Sequence, residues 1–339
     1  MKQKVRDSNF ELLRIIAMVL IVMHHLAVHG GSVVTEGSAF LNVAFLRFFE
    51  LGGKLAVNVF VLISGYFLVK SKFKPEKLVS LIAQIFIYST IIYLAFVSAG
   101  ITQFNWKEML YAFFPCSTNA YWFMSCYVLM YIFSPFVNII LKHISQKQHI
   151  VLILVLFLVC SVLPVAFDVW LLSTTSWFFT LYITAAYIAL YPKLFERKWI
   201  FTAIFIVSYL VIVLLKILKG WSLHAMDNPL CYICSVGMFV MFKNVKIKYN
   251  PVINVISSTT LGVYLIHDNN YVRPFLWREV LKVGEVFKTG DFWWKAILFV
   301  IVVYITCTVI EWVRQILFKG LDKFVHYNIF GRNKGIFLN

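Results

Sequence analysis

Charge is what this sequence has least of. Asp, Glu, Lys and Arg make up only 14% of its 339 residues, about half the share in a soluble globular domain. Hydrophobic residues make up 61%. The length alone would allow two soluble domains, but the apolar runs follow one another too closely for that. Acids are scarcer than bases, 15 against 31, and the net charge is +16. So basic a chain usually suggests nucleic acid. Here the basic residues lie in short clusters between apolar runs, the pattern of cytoplasmic loops in membrane proteins. That pattern excludes nucleic acid as a partner and favours anionic lipid headgroups.

Other absences narrow the reading further. The first apolar run, LLRIIAMVLIVMHHLAVHG, ends without a small-residue cleavage site, so it reads as a retained helix and not as a signal peptide. Cys231 and Cys234 have metal or redox spacing, yet no second Cys pair and no His cluster accompanies them. Inside CYICSVGMFVMF they read as packed thiols, and no metal is expected. There is no low-complexity tail and no internal repeat, and about twenty residues follow the last apolar run. Any chemistry is therefore expected within a single membrane-embedded domain, residues 1–339.

What is present is a series of runs long enough to span a bilayer, which takes about 20 mostly apolar residues. They read as an all-α polytopic membrane protein with about ten spans. The candidates are Leu12–His29, Leu55–Val69, Leu78–Ala99, Tyr121–Leu141, Ile150–Phe167, Trp177–Tyr191, Trp199–Leu218, Leu230–Phe242, Val252–His267 and Ala296–Phe318. The second can begin earlier, near Phe45. Lys2, Lys4 and Arg6, the even-numbered connections, and Arg314, Lys319, Lys323, Arg332 and Lys334 carry most of the basic residues. By the positive-inside rule both termini are then cytoplasmic, in the plasma membrane. The ninth connection, roughly 270–295, is long and mixed in charge, and reads as a re-entrant piece, an amphipathic piece or a further half-span.

Ionisable residues inside spans are costly and usually face a cavity or a partner. The first run holds Arg14, His24 and His25. Arg14 and His25 are eleven residues apart, about three helical turns, so they share one face roughly 16 Å apart. His24 points elsewhere. Two readings stay open: Arg14 snorkels to headgroups while His25 bonds a neighbouring helix, or the pair forms a site.

The run NFELLRIIAMVLIVMHH resembles the start of the acyltransferase 3 family, whose pattern is an Arg, ten residues, then a His. VNVFVLISGYFL is similar to the family's apolar run ending in Ser-Gly-aromatic, here Ser64, Gly65 and Tyr66. YWFMSCYVLMYIFSPFVNII resembles its Trp-Phe segment, and LGVYLIHDNNYVRPFLW its late Tyr-Leu-Ile-His segment. The resemblance implies transfer of an acyl group, usually acetyl from acetyl-CoA, to a hydroxyl of a cell-envelope or capsular polysaccharide or its lipid-linked precursor. It ties activity to Arg14 and His25. Arg14 is expected to hold the coenzyme's phosphates, and His25 to act as general base or transient acyl acceptor.

Lys70, Lys72 and Lys74 follow the Ser-Gly-Tyr segment, where relatives often carry arginines. They attract the coenzyme as point charges or simply fix topology; the second reading needs fewer assumptions. His267 lines the acceptor site or caps its helix. Tyr264, one turn earlier, is placed to donate a hydrogen bond to an oxyanion or a sugar. Tyr121 and Trp122 read as an interfacial belt, although Trp122 can also stack on a sugar. Ser64 reads as a packing residue, and His143 and His149 as solvated surface. The alternative function is an exporter of a glycan or lipid-linked sugar. A transporter often shows internal repeats, and the spacing of Arg14 and His25 favours the enzyme.

Overall fold

Each long apolar run becomes a helix, and polar caps set several of the starts. The structure is a computed structural model that describes residues 7–168, 173–221, 223 and 225–318. The terminal charges Lys2, Lys4, Arg6, Lys319, Lys323, Arg332 and Lys334, used above for orientation, lie outside the described residues. The helices are α1 (Ser8–His29), α2 (Phe40–Leu68), α3 (Pro75–Ser98), α4 (Trp106–Phe113), α5 (Trp122–His143), α6 (Gln146–Phe167), α7 (Thr174–Leu190), α8 (Lys198–Lys219), α9 (Pro229–Lys243), α10 (Pro251–His267) and α11 (Phe292–Leu317). No strand occurs among the described residues. Ser145 forms a capping box at α6. Asn228 and Asn250 cap α9 and α10, each followed by a proline at the first helical position.

Seven helices are long and apolar enough to cross a membrane, while α7, α9 and α10 are apolar but shorter. The apolar runs thus give the helix positions, and length and composition alone qualify seven of them as crossings. Peripheral helices turn apolar side chains outward at helical spacing. Val151, Leu154 and Leu158 do so on α6, Val207, Leu210 and Leu214 on α8, and Ile297, Ile301 and Ile305 on α11. In water such stripes would be unfavourable; against lipid they are matched. Pro135 sits inside α5 and cannot donate to the Tyr131 carbonyl. The Ser134 hydroxyl takes over that acceptor at 2.7 Å.

The centre of the bundle is α2, with 67% of its apolar window buried against 11–44% in the other six long helices. It starts at Phe40, well before the expected Leu55. Two charges in its extra turns are satisfied inside the bundle. Arg47 Nη1 donates to the Ile217 carbonyl at 2.6 Å, and Glu50 pairs with Lys216 at 3.0 Å. Asn58 binds the core together: its amide donates to Met226 and Ser235 and accepts from the Trp177 indole.

Helices α1 and α2 pack closely because Gly52 and Gly53 remove two side chains from the contact. A Cβ on Gly52 would meet Leu20 at 2.8 Å, and one on Gly53 would meet the His24 ring. Gly53→Val should therefore force α1 and α2 apart, costing about 1–3 kcal/mol or more. Thermal unfolding of the purified protein in detergent would show this as a lowered midpoint; an unchanged midpoint would refute the packing account.

The connection after α10 forms three short helical pieces, Val272–Pro274, Phe275–Val280 and Val283–Val286, and no further long helix. It folds back onto α1 and α2. Arg278 donates to the His29 carbonyl, and Asn42 donates to the carbonyls of Phe287 and Thr289.

Candidate active site

A cavity of about 560 Å³ runs between α1, α2, α5 and α10, within the range of small-molecule sites. Arg14, Met18, Ile21, His25 and His29 line it along one face of α1, as the 3.6-residue period requires. The start of α1 is fixed by polar contacts. The Asn9 amide donates to the Phe242 carbonyl at 3.0 Å, and Ser8 Oγ accepts from the Asn250 amide at 2.9 Å. Arg14 pairs with Glu11, whose other oxygen accepts from the Ser257 hydroxyl at 2.5 Å.

The His25 ring is oriented from behind. Its Nδ1 lies 2.9 Å from His267 Nε2, and His267 Nδ1 lies 2.5 Å from the Val263 carbonyl. A carbonyl only accepts, so His267 Nδ1 carries a proton. Neutral His267 then accepts at Nε2, and His25 donates from Nδ1. The lone pair of His25 is thereby assigned to Nε2, on a ring that lines the cavity. Asp268 Oδ1 lies 3.5 Å from His25 Nδ1 and pairs with Arg273 Nε at 2.9 Å. It is 2% exposed, so its charge acts at short range in a water-poor setting. This is the layout of an oriented general base.

The sequence-derived site residues divide into three groups. Arg14, His25, Tyr264 and Trp122 share the cavity. His267 is fully buried behind His25, where it orients that ring instead of lining the cavity. Lys70, Lys72 and Lys74 are exposed outside it. They lie at the Arg14 end, because Phe10 at the start of α1 packs against Tyr66 and Phe67 near the end of α2. The Tyr264 hydroxyl is buried in the wall, with the Asp268 carboxylate as its polar neighbour. Ser64 also lines the cavity, but its hydroxyl donates to the Phe60 carbonyl of its own helix.

Three sequence readings are corrected. Tyr121 is 1% exposed and forms no interfacial belt. Its hydroxyl donates to the Leu265 carbonyl at 2.8 Å and accepts from Asn269 at 2.7 Å. These bonds tie α5 to α10 and hold Trp122 against the cavity. His24 does not simply point away: Nδ1 bonds the Glu50 carbonyl at 2.6 Å, and the ring also lines the cavity. His149 is no solvated residue: it is fully buried, with Nε2 donating to the Ile183 carbonyl at 3.0 Å.

Other lining residues went unnoticed in the sequence, namely His29, Glu50, Lys54 and Arg273. His25, His29 and Asp268 place ligand atoms within 4.8 Å of one another. That spacing suits a metal ion, but His25 Nδ1 faces His267, and the Arg273 guanidinium beside Asp268 opposes a second cation. We assign no metal there. A smaller cavity of about 280 Å³ adjoins Tyr121 and Asn269. Outside the spans, burial and the Glu108 carboxylate, 3.0 Å away, push the Tyr271 phenol at its edge well above its ordinary range.

The sequence from 7 to 313 matches the profile of the acyltransferase domain of the acyltransferase 3 family. The chain belongs to that family. Comparison with curated proteins and with solved structures gave no match. In a membrane acyltransferase an oriented imidazole on a buried cavity has a plain use. It can take a proton from an attacking hydroxyl and return it to a leaving group. The family match covers every helix that lines the cavity, from α1 to α10.

Proposed function

We propose that this acyltransferase moves an acetyl group from acetyl-CoA to a hydroxyl of a cell-envelope or capsular polysaccharide, or of its lipid-linked precursor. One observation carries the reading. A single cavity follows α1 from Arg14 past the His25 ring to Asp268 and Arg273. The donor enters at the Arg14 end. That end is cytoplasmic in this reading, because Lys70, Lys72 and Lys74 gather there. The Arg14 guanidinium has five N–H donors and can share them between Glu11 and a phosphate. A pantetheine arm is of comparable length to the roughly 16 Å of helix between Arg14 and His25.

The acceptor enters from the opposite end. His25 Nε2 takes the proton of its hydroxyl while the oxygen attacks the thioester carbon. The carbon–sulfur bond then breaks, and the imidazolium returns the proton to the leaving thiolate. Asp268, 3.5 Å from Nδ1, stabilises the charge while it lasts. Tyr264, on the cavity wall, donates to the carbonyl oxygen as negative charge develops. In this reading the protein sits in the plasma membrane with both termini cytoplasmic, which requires the shorter apolar helices α7, α9 and α10 to cross as well.

The test is proton NMR of the envelope glycan from cells with and without the protein. Loss of the O-acetyl signal at unchanged glycan amount is the expected result. Normal acetylation with less glycan at the surface would overturn the reading and point to export.

A further inference from the structure

Almost every charged side chain on the cavity wall has a counter-ion. Arg14 has Glu11, Glu50 has Lys216, and Asp268 has Arg273. Lys54 is the exception. It lies in the middle of α2, and no carboxylate among the described residues comes within ion-pairing distance of its Nζ. Its Nζ lies over the face of Trp122, 4.8 Å from the ring centroid, a cation–π distance. An ammonium left uncompensated in a membrane domain is costly, and such groups mark sites where a ligand supplies the missing charge.

Lys54 and Glu50 are one turn apart on α2, on the stretch packed against His24 through Gly53. Both therefore lie at the His24 and His25 end of α1, away from Arg14. The fields of Asp268 and Asp227 reach Lys54, although neither forms a contact pair with it. Asp268 is already committed to Arg273. The partly buried cation thus faces the part of the cavity assigned above to the acceptor, beside an aromatic ring.

We propose that Lys54 and Trp122 form an anion subsite, and that the acceptor is an acidic glycan unit. The ammonium binds a carboxylate or phosphate on the unit, and the indole packs against its sugar ring. A uronic acid residue supplies the carboxylate; a glycosyl phosphate, as in a lipid-linked precursor, supplies the phosphate. The subsite deepens the acyl-transfer reading and rests on it for the word acceptor, but the binding itself can be measured without any acyl donor.

The experiment is saturation-transfer NMR on the purified full-length protein in detergent. The probes are methyl glucuronide, glucose 1-phosphate and methyl glucoside. Wild type should bind at least one of the charged sugars about tenfold or more tightly than methyl glucoside, as expected for a hydrogen bond to a charged group. The one preferred identifies the source of the charge. Lys54→Met should bring that sugar down to the level of methyl glucoside, and Lys54→Arg should restore most of the preference. Thermal unfolding of both variants controls for folding. Wild type that shows no preference for either charged sugar overturns the proposal, and so does Lys54→Met that retains it. Transfer of labelled acetyl from acetyl-CoA to the envelope glycan in wild-type membranes is followed separately. If it is absent while charge selectivity is present, the acyl-transfer reading fails and the subsite stands.

Discussion

His25→Ala should lower acetyl transfer by about 10²–10⁴-fold, the usual contribution of a positioned general base, while the protein stays folded in the membrane. The ring has one nitrogen engaged with His267 and carries its lone pair on the other, so the variant loses both the proton acceptor and its orientation. Alanine leaves His267 Nε2 without its donor, a cost of about 1–3 kcal/mol. That is smaller than the roughly 5–15 kcal/mol that keeps a typical domain folded. Passage of labelled acetyl from acetyl-CoA to glycan in membranes, normalised to protein amount, is the measurement. A variant that transfers at the wild-type rate would remove His25 from the chemistry.

Glu311→Ala should produce the largest loss of stability. Its carboxylate is 1% exposed and holds four side chains at the junction of α3, α10 and α11. Arg314 donates two bonds at 2.8 Å, Tyr88 one at 2.6 Å, Gln315 one at 2.9 Å and Gln84 one at 3.3 Å. Gly262 of α10 leaves the room this carboxylate occupies, since a Cβ there would lie 2.5 Å from Glu311 Oε2. Removing one member of a buried pair costs about 3–5 kcal/mol, because the remaining charge is uncompensated. The thermal midpoint of the purified protein in detergent should fall sharply. Glu311→Gln, which keeps the shape and one acceptor, should fall less. Equal midpoints for wild type and Glu311→Ala would show that the cluster adds nothing to stability. The cluster also fixes α10, the helix carrying Tyr264 and His267, so activity should fall with it.

Helix positions were legible because apolar runs of this length have few alternatives. The face shared by Arg14 and His25 was legible too, since it depends only on helical period. Charges inside helices were harder to read. Arg47, Glu50 and Lys54 lower the hydropathy of the first half of α2, so its run reads as beginning at Leu55 and Lys54 falls at its mouth. The partners of Arg47 and Glu50, Ile217 and Lys216, lie about 170 residues further along the chain. No local pattern announces such a contact. The same holds for His25 with His267, separated by 242 positions. His149 was misread because its neighbours in sequence are polar and basic, whereas its neighbours in space are Ile183 and Tyr187.

One unbroken helix, Ser8–His29, carries both Arg14 and His25. With no kink between them, their spacing is a rigid gauge set by backbone hydrogen bonds. A donor anchored at one mark presents its thioester at the other only if its arm has the matching reach. Discrimination between donors would then come from length as well as from the shape of the acyl group.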